Sequence, residues 1–204
     1  MSLTEQSIRD LLTAFSSADP TPGGGSASAL AAAVGASLLM MVAGLPKSRT
    51  GSDEDRAALA RAAGALADIR HRLTGAIDAD TAAYDRVVAA YKRPKASAEE
   101  QSARTAAIQE ALRGATEVPL GVMRQSAAAL DLAAVVAAHG HRAAASDVGV
   151  AVALLRAGLR GARLNVEINL GSMSDADYAG AVAAEAVRVA GAASTAADEA
   201  EALL

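Results

Sequence analysis

Few side chains in this chain could do chemistry, and one pair of them stands at helical spacing. Asp80 and Tyr84 are four residues apart, so on a helix they share a face, with apolar Ile77, Val87 and Val88 nearby. A carboxylate that points inward from such a face can act as a general base or pair with a cation. A surface or capping aspartate is the commoner outcome. Spacing alone leaves both interpretations of Asp80 open.

A second polar pair has the same spacing. Asn165 and Asn169 are separated by four residues within the apolar segment Leu164–Leu170. Asparagine is a poor helix former, and on an apolar face its amide needs a hydrogen-bonding partner. The pair therefore predicts contact either with the heterocycle of a ligand or with a neighbouring helix.

The segment Pro20-Thr-Pro-Gly-Gly-Gly-Ser26 precedes a predicted helix of small residues, 27–45. The prolines stiffen the approach, and Gly23, Gly24 and Gly25 let the backbone come close to another group. Ser26 is predicted to cap the helix. Such a turn can hold an anion or a polar ligand at the helix N-terminus, or can simply start the helix. It is not a Walker-type phosphate loop, because no Lys-Ser/Thr pair follows the glycines.

Two further candidates lie elsewhere in the chain. Ser146 and Asp147 suit the start of a helix, where serine caps and an acidic first turn are common. Lys47 and Arg49 belong to a basic loop, 46–52, and are expected to be solvated unless an anionic ligand lies beside the glycine turn.

Helical periodicity, caps and breakers predict an all-α, single-domain bundle of six to eight helices spanning residues 1–204, with residues 1–3 expected to be partly vector-derived. In the first helix, an apolar face of Ile8, Leu11, Leu12 and Phe15 is predicted to be buried. Pro119 is expected to kink the helix that contains it. The predicted helices are 4–17, 27–45, 53–92, 98–138, one starting at 147, and 174–204. Ser52 is predicted to cap the third of them, Ser97-Ala-Glu-Glu100 to form a capping box at the start of the fourth, and Ser174 to start the last.

Composition supports the all-α prediction. Hydrophobic residues make up 52% of the 204 residues and aromatic residues only 2%, and alanine is the commonest residue. Such a chain favours helices over strands. Alanine buries little apolar area, so we expect the chain to gain stability by oligomerising.

Charge and residue usage also limit the function classes. The net charge is −4 and the cations are scattered, so no basic stripe predicts nucleic-acid binding. The chain has no cysteine, and His139 and His141 flank a glycine in the manner of a turn, so no metal site is predicted. Residues 27–45 carry no charge, but they are rich in alanine, serine and glycine, which favours a buried central helix over a membrane span. We therefore expect no membrane partner and, with no signal peptide apparent, a cytoplasmic location.

Taken together and in this order, the segments resemble the cyclodeaminase/cyclohydrolase family. That family includes the C-terminal domain of formiminotransferase-cyclodeaminase and the bacterial methenyltetrahydrofolate cyclohydrolases. Each segment is weakly specific alone, but their ordered occurrence covers nearly the whole chain. The matching segments are Pro20–Ser26, Asp80-Thr-Ala-Ala-Tyr84, Ala90-Tyr-Lys-Arg-Pro-Lys95, Ala106–Leu112 with Val118-Pro-Leu120, Ser146–Ala151 and Leu164–Asn169.

The resemblance implies an all-helical homodimer that binds a tetrahydrofolate derivative in a cleft near the subunit interface, with no cofactor beyond that substrate. It implies one of two reactions: closure of 5-formiminotetrahydrofolate with loss of ammonia, or hydrolysis of 5,10-methenyltetrahydrofolate to 10-formyltetrahydrofolate. A domain without an attached formiminotransferase favours the hydrolysis. A folate-binding dimer without catalysis and a plain helical interaction module remain as alternatives.

The resemblance also implies roles for residues. Asp80 is predicted to be the general base on the attacking water and to stabilise the cationic bridge. Gly23, Gly24, Gly25, Ser26, Ser146, Asp147, Asn165 and Asn169 are predicted to hold the pterin and the bridge, and Lys47 with Arg49 to meet the glutamate tail. The segment Gly140-His-Arg-Ala143 departs from the family pattern Gly-Asn-x-Asn, which keeps a non-catalytic binder open as an alternative.

Overall fold

A computed structural model of the chain describes residues 2–204 and confirms the all-α class. Six α-helices form the fold, two short 3₁₀ turns lie at Leu3–Glu5 and Arg142–Ala144, and no strand is assigned between Ser2 and Leu204. The helices are α1 (Ile8–Phe15), α2 (Gly24–Ala43), α3 (Asp53–Tyr91), α4 (Ala98–His139), α5 (Ala145–Leu170) and α6 (Ala176–Ala202).

Helix α2 lies at the centre of the bundle and packs against α3, α4 and α5. Its residues are small, so neighbouring backbones come close: a Cβ added at Gly158 of α5 would lie 2.7 Å from the carbonyl oxygen of Ser28. Two helices, α2 and α4, are apolar and long enough to cross a membrane by length and composition. In their most apolar stretches 56% and 50% of residues are buried within the bundle. The prediction of a buried central helix is confirmed for α2.

Local sequence signals set several helix ends. Ser52 caps α3 by accepting from the N–H of Asp55, and Ser97 with Glu100 forms the capping box that starts α4. Helix α4 continues through Pro119. Two predicted caps are wrong. Asp175 rather than Ser174 caps α6, and α5 begins at Ala145, which places Ser146 inside its first turn.

The N-terminal prediction is also wrong in part. The predicted helix 4–17 is a 3₁₀ turn followed by the shorter α1. Of the predicted apolar face, Leu11 is buried and Phe15 packs against the core, whereas Ile8 and Leu12 are 79% and 61% exposed. The 3₁₀ turn is fixed instead by Asp78, whose carboxylate accepts from the N–H of Leu3 and the hydroxyl of Thr4. Leu3 is therefore part of the fold, and Met1 lies outside the described residues.

Candidate active site

The glycine segment forms the first turn of α2 rather than a loop before it. Gly23 occupies the N-cap position and offers no side chain, and Ser26 is already inside the helix. The prediction that Ser26 caps the helix is wrong. The hydroxyl of Ser26 lies 2.8 Å from the carbonyl oxygen of Ile77 on α3, and its N–H donates to Oδ2 of Asp80 at 2.9 Å. A carboxylate from α3 thus does the capping that a local serine was expected to do.

Gly25 is required by the position of that carboxylate. A Cβ at this position would lie 2.0 Å from Oδ1 and 2.5 Å from Cγ of Asp80, well inside van der Waals contact. The missing side chain lets Asp80 lie flat against the first turn of α2. The pairing of the glycine turn with Asp80, 55 residues away in sequence, is therefore a direct steric fit.

The environment of Asp80 acts on its charge in two opposite ways. Burial raises the pKa of Asp80 above its ordinary value, and the hydrogen bonds from the hydroxyl and N–H of Ser26 partly offset that rise. Both of those bonds go to Oδ2. Oδ1 receives no hydrogen bond within residues 2–204, so it is the oxygen left to accept a proton.

Asp80 lines a cleft of about 360 Å³ between the N-terminus of α2, the middle of α3, α4 and the C-terminal end of α5. The cleft combines polar groups with an apolar wall, as small-molecule sites commonly do. Its lining residues are Pro20, Thr21, Gly23, Gly24, Gly25, Asp80, Ala83, Tyr84, Val87, Ala115, Asn165, Ile168, Asn169 and Ser172.

Both asparagines reach this cleft from α5. The side-chain N–H of Asn165 donates to the carbonyl of Gly161 in its own helix at 2.9 Å. That of Asn169 donates to the carbonyl of Ala115 on α4 at 2.8 Å. These bonds use the amide nitrogens and leave the amide oxygens as acceptors at the cleft wall. The predicted interhelix contact is found at Asn169, and both side chains also face the site where a ligand would bind.

The remaining predicted residues lie at the other end of the bundle. From Ser146 to Asn165 helix α5 rises about 28 Å, and α2 separates Gly24 from the loop of Lys47 by a similar length. That loop pairs with the segment before α5 through Ser48 and Gly140, and Arg49 donates to the carbonyls of His139 and Ala137. Within one chain, therefore, Lys47, Ser146 and Asp147 do not join Asp80.

This far end has its own hydrogen-bonded pair of a histidine and a buried aspartate. Nδ1 of His139 lies 2.8 Å from Oδ1 of Asp55, whose other oxygen accepts from the N–H and the hydroxyl of Thr50. Hydrogen bonds from His139 and Thr50 hold the pKa of Asp55 far below its ordinary value. The pair fastens the loop after α2 to the start of α3 and the end of α4.

Several cleft residues are not among those predicted from the sequence to form the site. Thr21, Ile168 and Ser172 gave no signal, because an isolated polar or apolar residue in a turn or on a helix is common. Tyr84 did give one: it is four residues from Asp80 in a chain with only four aromatic residues, and the structure shows that it is 40% exposed. An exposed aromatic ring beside a carboxylate could have been predicted to contact the ligand.

Comparisons with known proteins identify the family of this chain. Residues 7–188 match the formiminotransferase-cyclodeaminase family. The chain is 42% identical to the methenyltetrahydrofolate cyclohydrolase of Methylorubrum extorquens over 85% of this chain and 84% of that protein. It is 34% identical to the formimidoyltransferase-cyclodeaminase of Rattus norvegicus, over 85% of this chain but only 32% of that longer protein.

A solved structure agrees along the whole length. The formiminotetrahydrofolate cyclodeaminase of Thermotoga maritima superposes with a TM-score of 0.87 at 25% identity, covering 98% of this chain and 96% of that one. The family match covers most of the chain. The 42% sequence identity to the protein from Methylorubrum extorquens, over most of both chains, is high enough to indicate common family membership. The chain belongs to the formiminotransferase-cyclodeaminase family.

Proposed function

We propose that the chain catalyses folate one-carbon interconversion, and specifically the hydrolysis of 5,10-methenyltetrahydrofolate to 10-formyltetrahydrofolate. The observation that carries the proposal is Asp80: a partly buried carboxylate that lines a cleft of ligand size, with one oxygen held by α2 and the other without a hydrogen bond. The 42% identity to a protein named for this reaction supports it. Both kinds of named relative are enzymes, which favours catalysis over a non-catalytic binder or an interaction module.

The reaction fits a single carboxylate. The methenyl bridge is a cation, so an ionised Asp80 beside it stabilises the bound substrate and the transition state for water addition. As the oxygen of water bonds to the bridge carbon, Oδ1 of Asp80 takes one of its protons. The bond between that carbon and N5 then breaks, its electron pair stays on N5, and Asp80 returns the proton there. The remaining hydroxyl proton leaves to solvent as the formyl carbonyl forms.

The raised pKa of Asp80 suits this double role. A carboxylate of ordinary acidity is a weak base. Partial burial makes Asp80 a stronger base, because it raises the pKa of the carboxyl group. The hydrogen bonds from Ser26 lower that pKa and so keep Asp80 ionisable. The amide oxygens of Asn165 and Asn169 are acceptors for the N–H groups of the pterin. The role of Gly23, Gly24 and Gly25 in this proposal is close backbone approach at the floor of the cleft.

The test follows methenyltetrahydrofolate absorbance in a buffer in which its uncatalysed hydrolysis is slow. We expect enzyme-dependent loss of absorbance, reduced roughly a hundred- to ten-thousandfold in Asp80→Asn. Asp85→Asn is the matched control, because Asp85 is exposed, lies on the same helix and does not line the cleft. Hydrolysis that is unchanged in Asp80→Asn contradicts the assignment of this residue.

Cyclodeamination is the second candidate, supported by the likeness to the cyclodeaminase of Thermotoga maritima over nearly the whole chain. There the same carboxylate would take the proton from N10 as N10 bonds to the formimino carbon and pass it to the departing nitrogen. That nitrogen takes a second proton from solvent, and its bond to the carbon breaks to release ammonia and leave the methenyl cation. Ammonia release from 5-formiminotetrahydrofolate, assayed with the same variants, decides between the two. The proposal includes a cytoplasmic location and requires no cofactor, membrane or nucleic acid.

The proposed homodimer forms through the outer faces of α2 and α5. No charged residue occurs in α2, yet Val34 and Met41 on it are each 43% exposed. On α5, Val150 and Leu164 are more than half exposed and continue the apolar face at seven-residue spacing through Ala157. An apolar surface at this spacing on adjacent helices favours packing against a second copy.

A two-fold axis crossing α5 near Ala157 would make the two copies of this helix antiparallel. The N-terminal end of one α5, with Ser146 and Asp147, would then lie beside the Asn165 end of the partner's helix. Residues that are far apart in one chain would meet in the dimer. In this arrangement Ser146 and Asp147 of one copy would serve the same site as Asp80 of the other.

A further inference from the structure

The segment Ala90–Lys95 at the end of α3 has no part in the chemistry above, although it lies on the same side of the molecule as the cleft. Eleven residues separate Asp80 from Tyr91, which is about three helical turns, so the two side chains point in nearly the same direction roughly 16 Å apart. Tyr84, which lines the cleft, lies between them on this face. Tyr84 and Tyr91 are 40% and 49% exposed and are half of the chain's four aromatic residues.

The neighbouring helix α4 has a matching pair of positions, also eleven residues apart. Ala115 lines the cleft from α4, and Arg104 precedes it by eleven residues on the same face. The guanidinium of Arg104 lies 5.5 Å from the centre of the Tyr91 ring, and it donates to the carbonyl of Tyr91 at 3.1 and 3.2 Å. Both helices therefore run from the cleft to the place where the guanidinium of Arg104 stacks on the ring of Tyr91.

Charge at that point is positive in a chain whose net charge is −4. The tip of the α3–α4 hairpin carries four cations, Lys92, Arg93, Lys95 and Arg104, against two carboxylates, Glu99 and Glu100. Glu100 is engaged by the N–H groups of Ala96 and Ser97. Within residues 2–204 none of the four cations is in an ion pair. The cleft itself has no cationic lining residue.

We infer that the strip Tyr84–Tyr91–Arg104, with Lys95, binds the aryl and carboxylate end of the substrate. The inference rests on the proposed function, which places the pterin beside Asp80. An extended ligand that leaves the cleft along α3 would pass its benzoyl ring over the exposed tyrosines and present its glutamate carboxylates to Arg104 and Lys95. This assignment replaces Lys47 and Arg49, which lie at the opposite end of α2 in the same chain.

The test compares two substrates that differ only in the tail: methenyltetrahydrofolate and methenyltetrahydropteroate, which lacks the glutamate. For Arg104→Gln we expect KM for the glutamyl substrate to rise about tenfold with kcat nearly unchanged, and KM for the pteroate to stay the same. Arg104→Lys keeps the charge and should recover part of the loss. Arg93→Gln is the control, because Arg93 lies on the other side of the hairpin with Arg86 and Glu110.

A second readout does not depend on turnover. Calorimetric binding of p-aminobenzoyl-L-glutamate should weaken in Arg104→Gln and in Tyr91→Ala, and should persist in Tyr91→Phe. Equal effects of Arg104→Gln on KM for both substrates would overturn the inference that the strip binds the glutamate tail. Binding of the fragment that is unchanged in these variants would overturn it as well. Failure of the wild type to turn over either substrate instead contradicts the proposed function, and fragment binding then decides on the strip separately.

Discussion

Asn169 hydrogen-bonds the backbone carbonyl that Pro119 leaves without a helical donor. In an α-helix the carbonyl of residue 115 would accept from the N–H of residue 119, and proline has none. The side chain of Asn169 supplies the missing donor to Ala115 from the neighbouring helix at 2.8 Å. A residue that would ordinarily break α4 thus fixes the position of a side chain in the cleft.

This relation predicts a coupling between the two residues. Asn169→Ala leaves the Ala115 carbonyl without that donor and should lower the free energy of unfolding by about 0.5–1.5 kcal/mol. In a Pro119→Ala background the helix regains its own N–H donor, so the same substitution should cost much less. Urea unfolding of the four proteins in a double-mutant cycle measures the difference. Strictly additive effects would show that the two residues act independently.

The contact between Gly25 and Asp80 predicts a steric effect on catalysis. Gly25→Ala places a Cβ on the carboxylate, which must then move away from Ser26 and the cleft. A displacement of this size should reduce turnover on the order of a hundredfold. Gly64→Ala is the control: Gly64 also lies within a helix, and its added Cβ would meet no atom within 4 Å. Near-normal turnover in Gly25→Ala would mean that the Asp80 position is not critical.

Asp80 also predicts how activity depends on pH. The general base must be ionised, so kcat/KM should fall about tenfold per pH unit below its pKa. Because burial raises that pKa, the fall should begin above the range of an exposed aspartate. The residual activity of Asp80→Asn should not show this fall of kcat/KM at low pH. A fall at the pKa of an ordinary carboxyl group would argue against Asp80 as the base.

Stability gives an independent check on the same group. A carboxyl group whose folded-state pKa is raised stabilises the fold fully below its unfolded pKa, and that contribution is lost as pH rises through the folded pKa. Asp80→Asn stays neutral, so its unfolding midpoint should depend less on pH across this range than that of the wild type. Identical pH profiles of stability would show that Asp80 is not desolvated in solution.

Much of the fold follows from local sequence, because caps and breakers act within a few residues. Ser52 and the Ser97–Glu100 pair start α3 and α4 as predicted. The start of α2 could not be predicted in this way. Its capping group is Asp80 on α3, and the steric fit that requires Gly25 appears only when the two helices are packed.

Only part of the predicted site comes together in one chain, and the reason is again tertiary packing. Asp80, Asn165, Asn169 and the glycines share a cleft, because their spacing puts them at the same end of neighbouring helices. Lys47, Ser146 and Asp147 lie at the other end, because the lengths of α2 and α5 separate them. Helix length is predictable, but the direction in which each helix crosses the bundle depends on tertiary packing.

At the far end, the pair of Asp55 and His139 predicts acid sensitivity. A carboxyl group whose folded-state pKa is lowered contributes stability above its unfolded pKa, and this is lost as pH falls through the folded value. Asp55→Asn should therefore lower the unfolding midpoint at neutral pH, and its difference from the wild type should shrink in acid. Thermal unfolding between neutral pH and pH about 3 measures this. A constant difference would assign the effect to packing rather than to charge.

The antiparallel dimer makes a prediction that a single chain cannot satisfy. If Asp147 of one copy serves the cleft of the other, Asp80→Asn and Asp147→Asn should each be inactive alone. In a mixed dimer of the two variants, one of the two sites regains both wild-type residues. Random mixing should then restore about a quarter of wild-type turnover, because half the dimers are mixed and each has one intact site.

Val150→Glu should abolish this recovery by disrupting the interface, whereas Val187→Glu, equally exposed on α6, should not. Recovery is impossible if both residues must lie in the same chain, and full activity of Asp147→Asn alone would remove Asp147 from the site.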